Sequence, residues 1–327
     1  MADTSKIEWT DATWNVVTGC EKVSPGCDNC YAETFAERWR GIPGHHFETG
    51  FDVTLRPERL TIPLKWRKPK RVFVNSMSDL FHKDIPDEYI ARVWAVMALT
   101  PQHTYQILTK RHGRMRSLLN DPGFEKLVDR ALLTMPEASD PKLTRRSWPL
   151  PKPGWPLPNV WLGVSVEDQK RADLRVPALL DTAAAVRFLS CEPLLGPVDL
   201  FAGDHSTHER DFDGTDDYIC LDCSTDDHHV PWRVIDRSNF GIDWVIIGGE
   251  SGPGARPFDP QWATDLIDDA RQADAAPFVK QLGSVWARDF TVNGKTVAAH
   301  GDTKGGNPDY WPTHLRVREY PKAASDG

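Results

Sequence analysis

Six short apolar runs, rich in β-branched residues, each break off into a cluster of polar residues, and this recurrence constrains the fold more than any other feature. Val72-Phe73-Val74-Asn75 leads into Ser76-Met77-Ser78-Asp79, Tyr105-Gln106-Ile107-Leu108 into Thr109-Lys110, and Val160-Trp161-Leu162-Gly163-Val164 into Ser165-Val166-Glu167. Val186-Arg187-Phe188-Leu189 leads into Ser190-Cys191-Glu192-Pro193, Trp244-Val245-Ile246-Ile247 into Gly248-Gly249-Glu250-Ser251, and Pro277-Phe278-Val279 into Lys280-Gln281. Runs without polar alternation belong to strands covered on both faces, hence to a parallel sheet. Polar residues at their C-terminal ends predict an α/β fold, a partial or full (β/α) barrel whose loops build one site, with a doubly wound open sheet as the alternative. Helical stripes lie between the runs. Ile90, Val93, Trp94 and Met97 repeat at one-turn spacing behind Pro86 and Asp87, and Trp262, Leu266 and Ala270 do so behind Asp259-Pro260.

The 327 residues read as a single domain spanning 1–327 with two interruptions. Seven prolines between 136 and 158 predict an irregular connection between the third and fourth strands. A second, acidic insertion at 203–241 follows the fifth strand. Most of the net charge of −8 sits there, leaving the rest nearly neutral and able to carry a local basic face. No apolar run approaches the roughly 20 residues that cross a bilayer, and residues 1–11 offer no apolar stretch for a signal peptide, which predicts a cytoplasmic protein with no membrane partner. Six cysteines in that compartment point to metal chemistry rather than to disulfides.

Three of them, Cys20, Cys27 and Cys30, share one loop with the spacing C-x6-C-x2-C, after a first strand and before a helix at 31–39. Three thiolates can hold a [4Fe–4S] cluster and leave one iron open to a small molecule. On these cysteines and the strand order the chain resembles the radical S-adenosylmethionine superfamily, although the superfamily's commonest spacing is C-x3-C-x2-C. More closely it resembles a phage-encoded family of unknown function defined by a three-cysteine loop, through residues 14–33, 73–81, 159–168, 189–195, 243–256 and 304–321. A phage origin would make the location the host cytoplasm. The resemblance implies S-adenosylmethionine on the open iron, cleaved by one electron to a 5′-deoxyadenosyl radical, and a flavodoxin- or ferredoxin-type electron donor. The competing reading of the same loop is a structural zinc site completed by His45 or His46, in a non-enzymatic protein that binds nucleic acid or a protein partner.

The resemblance places cofactor contacts at the strand ends: Ser76, Ser78 and Asp79 toward the methionine amino group or ribose, Ser165 and Glu167 toward the ribose hydroxyls, and Glu250. Gly248 and Gly249 would let backbone approach a ligand. Lys110 is a candidate for the methionine carboxylate or a substrate phosphate, and Glu192 for an amine. Cys191 is a candidate hydrogen-atom donor, as a cysteine is in the distantly similar spore photoproduct lyases, or else a buried apolar filler. Tyr31 and Tyr105 are weaker candidates for that role. Each polar residue alone also reads as a helix cap or loop salt bridge.

Within the acidic insertion, Cys220 and Cys223 with His205, His208, His228 and His229 form a candidate second metal site of the zinc type, or a reduced pair in a disordered loop. Two basic clusters remain. Lys65, Arg67, Lys68, Lys70 and Arg71 surround Trp66, and Lys110, Arg111, Arg114 and Arg116 follow the third strand. Cations interleaved with an aromatic suit phosphates and bases, so repair or modification of a nucleic-acid base is the leading substrate reading, against solvated strand caps.

Overall fold

The computed structural model describes residues 5, 7–135, 154–202 and 240–322. Seven strands form one sheet: β1 (Ala12–Trp14), β2 (Arg71–Val74), β3 (Thr104–Thr109), β4 (Val160–Ser165), β5 (Val186–Cys191), β6 (Trp244–Gly248) and β7 (Ala276–Gln281). Spatial order follows chain order, every neighbouring pair is parallel, and the sheet curls into a half-barrel. A doubly wound sheet would reverse its strand order at a switch point. None occurs here. Successive crossovers of one hand keep the helices on one face and leave the other as an interior.

The helices are α1 (Tyr31–Glu37), which follows the cysteine loop at the mouth, and, on the helical face, α2 (Asp87–Leu99), α3 (His112–Leu119), α4 (Pro122–Thr134), α5 (Gln169–Leu180), α6 (Pro260–Gln272) and α7 (Gly283–Asp289). Both helical stripes read from the sequence are present. α2 starts at Pro86, and the side chain of Asp259 caps α6 by accepting from the Gln261 N–H. The sequence reading passed over α4, although Asp121 caps it and Phe124, Val128 and Ala131 form its buried stripe.

Strand alternation sorts side chains between two cores. Val72, Val74, Val164, Leu189, Cys191, Val245, Ile247 and Val279 pack toward the helices, with Ile90, Trp94 and Met97 of α2 and Leu266 of α6 in the same core. Phe73, Phe188, Trp244, Ile246 and Phe278 point the other way and fill the interior with Trp9. Gly163 makes this possible, because any side chain there would overlap the Phe188 ring.

The chain's last described segment closes the floor. It runs antiparallel to β7, with Val279 N–H donating to Val317 O, Glu319 N–H to Pro277 O, and a bridge from Phe278 to Arg318. Tyr320 stacks on Trp244 at 5.5 Å, carries the Arg71 guanidinium over its ring at 4.3 Å, and donates to Glu8 O. With the floor packed by aromatic rings, open polar valence is left to the opposite, C-terminal rim. The proline-rich connection lies outside the described residues from 136 to 153, and the acidic insertion from 203 to 239. Cys220, Cys223, His205, His208, His228 and His229 therefore lie outside them too.

Candidate cofactor site at the mouth of the half-barrel

The three-cysteine loop crosses the mouth and is fastened to the ends of four strands. At β2, Gly19 N–H donates to Met77 O, Ser78 Oγ to Val17 O, and Tyr31 Oη to Ser76 O at 2.6 Å. Gly19 has φ +87°, and a Cβ there would collide with the Asp52 carbonyl, so only glycine makes this turn. Beyond β3, the Arg111 guanidinium lies 3.9 Å from Cys20 Sγ and donates to Glu21 O. Past β4, Gly26 packs against Glu167, whose carboxylate would be 3.1 Å from a Cβ at that position. After β6, Glu250 accepts from Asn29 Nδ2 and from the Arg256 N–H, Nε and Nη2, while Arg256 also donates to Pro25 O and pairs with Asp28.

All three thiols are half-buried and none is in a disulfide. Burial, then the Asp79 charge, raises the Cys20 thiol above its ordinary range, and Arg111 opposes both. Thiolates on one tetrahedral zinc stand about 4 Å apart. Among the described residues no three of these thiols and nearby histidines have ligand atoms within 4.8 Å of one another. His45 instead stacks on Trp39 at 4.2 Å and accepts from Phe47 N–H through Nδ1, and His46 packs on Phe47. A zinc site of these cysteines with His45 or His46 is thus not assembled in this geometry. Thiols that bind separate metal atoms of a cluster need no such convergence.

The strand-end residues divide into those already engaged by the protein and those with valence to spare. Asp79 belongs to the first group: Oδ1 accepts from Phe81 N–H and Thr109 Oγ1, and Oδ2 from Lys110 N–H. It ties β2 to β3 rather than facing a ligand. Ser76 Oγ is engaged by Asn15, and Ser78 by Val17. Gly249 has its open side filled by the Leu282 carbonyl and Gly248 by Glu192, so these glycines serve strand packing. Burial raises the Glu250 carboxyl, but hydrogen bonds from Arg256 and Asn29 outweigh it and hold it below the usual carboxylate range.

Of the two readings of Cys191, its position accords with the buried filler. Alternation along β5 turns it to the helix-side core, fully buried, while Ser190 and Glu192 take the inward positions. Burial, reinforced by the Glu167 charge, pushes its thiol up, as befits a neutral filler rather than a hydrogen donor to the mouth. Tyr105 is likewise in the helix-side core, bonded to Thr100.

Lys110, Ser165, Glu167, Glu192 and Lys280 make up the rest of the inward layer, and valence remains at the first three. Lys110 Nζ donates to Ser165 Oγ at 3.2 Å and has no carboxylate partner among the described residues. Lys280, by contrast, forms a two-pronged pair with Glu192 at 2.7 and 3.0 Å. Glu167, 1% exposed, gives Oε2 to Arg175 at 2.8 Å and leaves Oε1 buried without a partner. A buried carboxylate oxygen lacking a donor is costly unless a ligand supplies one. The two basic clusters do not merge. Lys65 to Arg71 lead into the start of β2 at one end of the sheet, whereas Lys110 to Arg116 follow β3 at the other, roughly 20 Å away along a six-residue strand. Arg71, Arg114 and Arg116 are paired with Asp11, Asp87 and Asp181.

Residues 4–311 match a single family model, described as a protein of unknown function, DUF5131. The chain belongs to the DUF5131 family. The match covers the cysteine loop, all seven sheet strands and both sides of the mouth, and it assigns them no chemistry. No curated protein and no solved structure matches the chain. No helix among the described residues is long and apolar enough to cross a membrane.

In this DUF5131 chain, sequence reasoning missed Arg256, Arg175 and Asn29, which act through a partner rather than through a motif. It also missed Glu21, His82 and Asp84, whose ligand atoms lie within 4.8 Å of one another. His82 is fully buried, but Lys83 at 3.1 Å from the Glu21 carboxylate and Arg111 close by set positive charge against a cation there.

Proposed function

We propose that the chain is a radical S-adenosylmethionine enzyme in which Cys20, Cys27 and Cys30 hold a [4Fe–4S] cluster across the mouth of the half-barrel. The observation that carries this reading is the fastening of one three-thiol loop to the ends of β2, β3, β4 and β6, over an inward layer of unspent polar groups. When bound, such a cluster supplies one-electron reduction of S-adenosylmethionine, drawing its electron from an external donor. The protein's own contributions are positional. Arg111 offsets negative charge beside Cys20, Lys110 offers a cation to an anionic group of cofactor or substrate, and Glu167 Oε1 accepts from a hydroxyl or ammonium. The aromatic floor keeps water from entering below. A nucleic-acid base stays the proposed substrate class on the sequence clusters, although they offer it no single basic face.

The test is anaerobic reconstitution with iron and sulfide, then dithionite reduction with S-adenosylmethionine and chromatography for 5′-deoxyadenosine. Roughly four irons and four sulfides per chain, lost in Cys27→Ala together with the nucleoside, support the reading. Colourless protein that holds tight zinc through the same cysteines would end it.

A further inference from the structure

The loop after β6 carries the most heavily bonded carboxylate at the mouth, and what it bonds is the cysteine loop. Glu250, 7% exposed, accepts three hydrogen bonds from Arg256 and one from Asn29, at 2.7 to 3.1 Å. Arg256 then reaches past Glu250 to the Pro25 carbonyl at 2.9 Å and to Asp28 at 3.1 Å, and Asn29 donates to Gly254 O at 3.0 Å. The four contacts fall on residues 25, 28 and 29, which flank Cys27 and precede Cys30. Cys20 is held by other means, its N–H on Phe51 O and its Sγ beside Arg111. Among the loop's fastenings, the one that hydrogen-bonds residues 25, 28 and 29 of its C-x2-C half through Arg256 and Glu250 comes from the far side of the sheet.

We propose that Arg256, oriented by Glu250, is a positioning residue that sets the shape of the Cys27–Cys30 arc and so lets all three thiols reach one ligand. This rests on the reading that the loop holds a cofactor, and it assigns Glu250 to the loop instead of to the ligand. A planar guanidinium is required because it must serve a carboxylate, a second carboxylate and a carbonyl at once. A lysine ammonium has the charge but not the fork.

The test reads thiol exposure in the reduced, metal-free protein, where no cofactor is needed. Iodoacetamide labelling rates of each cysteine are followed by mass spectrometry in the parent chain, Arg256→Gln, Arg256→Lys and Glu250→Gln. Loss of a charge-assisted bond should raise labelling of Cys27 and Cys30 by roughly tenfold in Arg256→Gln, less in Arg256→Lys, and leave Cys20 and buried Cys191 within about twofold. Iron uptake on reconstitution should fall in the same order. Unchanged Cys27 and Cys30 labelling in folded Arg256→Gln, or an equal rise at Cys20 and Cys191, would overturn the proposal. If Arg256→Gln does not fold, Asn29→Ala removes two of the contacts and is read the same way. Should the parent bind no iron while Arg256→Gln still loosens Cys27, positioning stands and the cofactor reading fails. If the parent binds iron and the variant binds it equally with unaltered labelling, the reverse holds.

Discussion

Cys191 and Gly26 illustrate what a residue's neighbours decide that its identity does not. A cysteine at a strand end reads as chemistry until its parity is known, and parity depends on where the strand begins. Cys191 sits in the apolar helix-side core, so Cys191→Ala should cost less than Cys191→Ser, whose hydroxyl would enter that core in place of a thiol, by about 1–2 kcal/mol in urea unfolding. Neither change should alter iron uptake. Gly26 makes the opposite case: no positive φ demands it, and only the Glu167 carboxylate beneath excludes a methyl group. Gly26→Ala should cost about 1–2 kcal/mol as an overpacked site, because the Arg175 pair keeps Glu167 from swinging away. Measured against its own Glu167 single variant, Gly26→Ala should cost little in a Glu167→Asp background and keep its cost in a Glu167→Gln background, because both acid variants disturb the Arg175 pair but only the shorter one makes room. Urea midpoints of the parent, the three single variants and the two double variants decide it, and an equal cost of Gly26→Ala in both backgrounds would sink the steric account.

At the scale of elements, β2 to β7 and helices α2 and α6 were legible because each carries its own pattern. Uninterrupted apolar runs marked buried strands, and a one-turn stripe behind a proline marked a helix. What escaped was relational. The role of Asp79 as a strut between β2 and β3 depends on Thr109 and Lys110 arriving beside it, and nothing local in Ser78-Asp79-Leu80 announces that. The interior packing was equally hidden: Gly163 is one glycine in an apolar run until Phe188 lies across it from the next strand. Gly163→Ala should therefore cost about 1–3 kcal/mol by thermal or denaturant unfolding. The companion change Phe188→Leu, destabilising alone, should cost much less in the Gly163→Ala background. Additive losses would mean that the two side chains do not compete for one space.

Considered as a whole molecule, the protein gathers its unspent polar valence at one rim and its aromatic mass at the other, and acid acts on the supports of the first. Burial, helped by Arg56 and Arg59, takes His46 down from 6.5 to about 4, with Glu58 opposing and His45 adding to it. Burial also lowers His82 and His112. A histidine depressed in the folded state binds protons more readily when unfolded, so its contribution is full above about pH 6.5 and is lost as pH falls toward 4. Urea midpoints should decline across that window, and His46→Gln should flatten part of the decline. A profile unchanged by the substitution would remove His46 from the account. The same scale limits what composition can say, since a formal charge of −8 arises mostly in a stretch outside the described residues and says little about the mouth.

The segment lying antiparallel on β7 bears on handling of the protein. The family match stops at residue 311, yet Val317, Glu319 and Tyr320 occupy the backbone groups and ring surface at the open edge of the sheet. A chain trimmed to the matched residues would present a bare parallel edge beside exposed Trp244 and Phe278, a template on which a second copy can add its own strand. Such a trimmed protein should sediment as growing aggregates where the longer chain stays dispersed, and a Lys placed in the uncovered strand should slow their growth. The natural boundary for expressing this fold therefore falls beyond Tyr320.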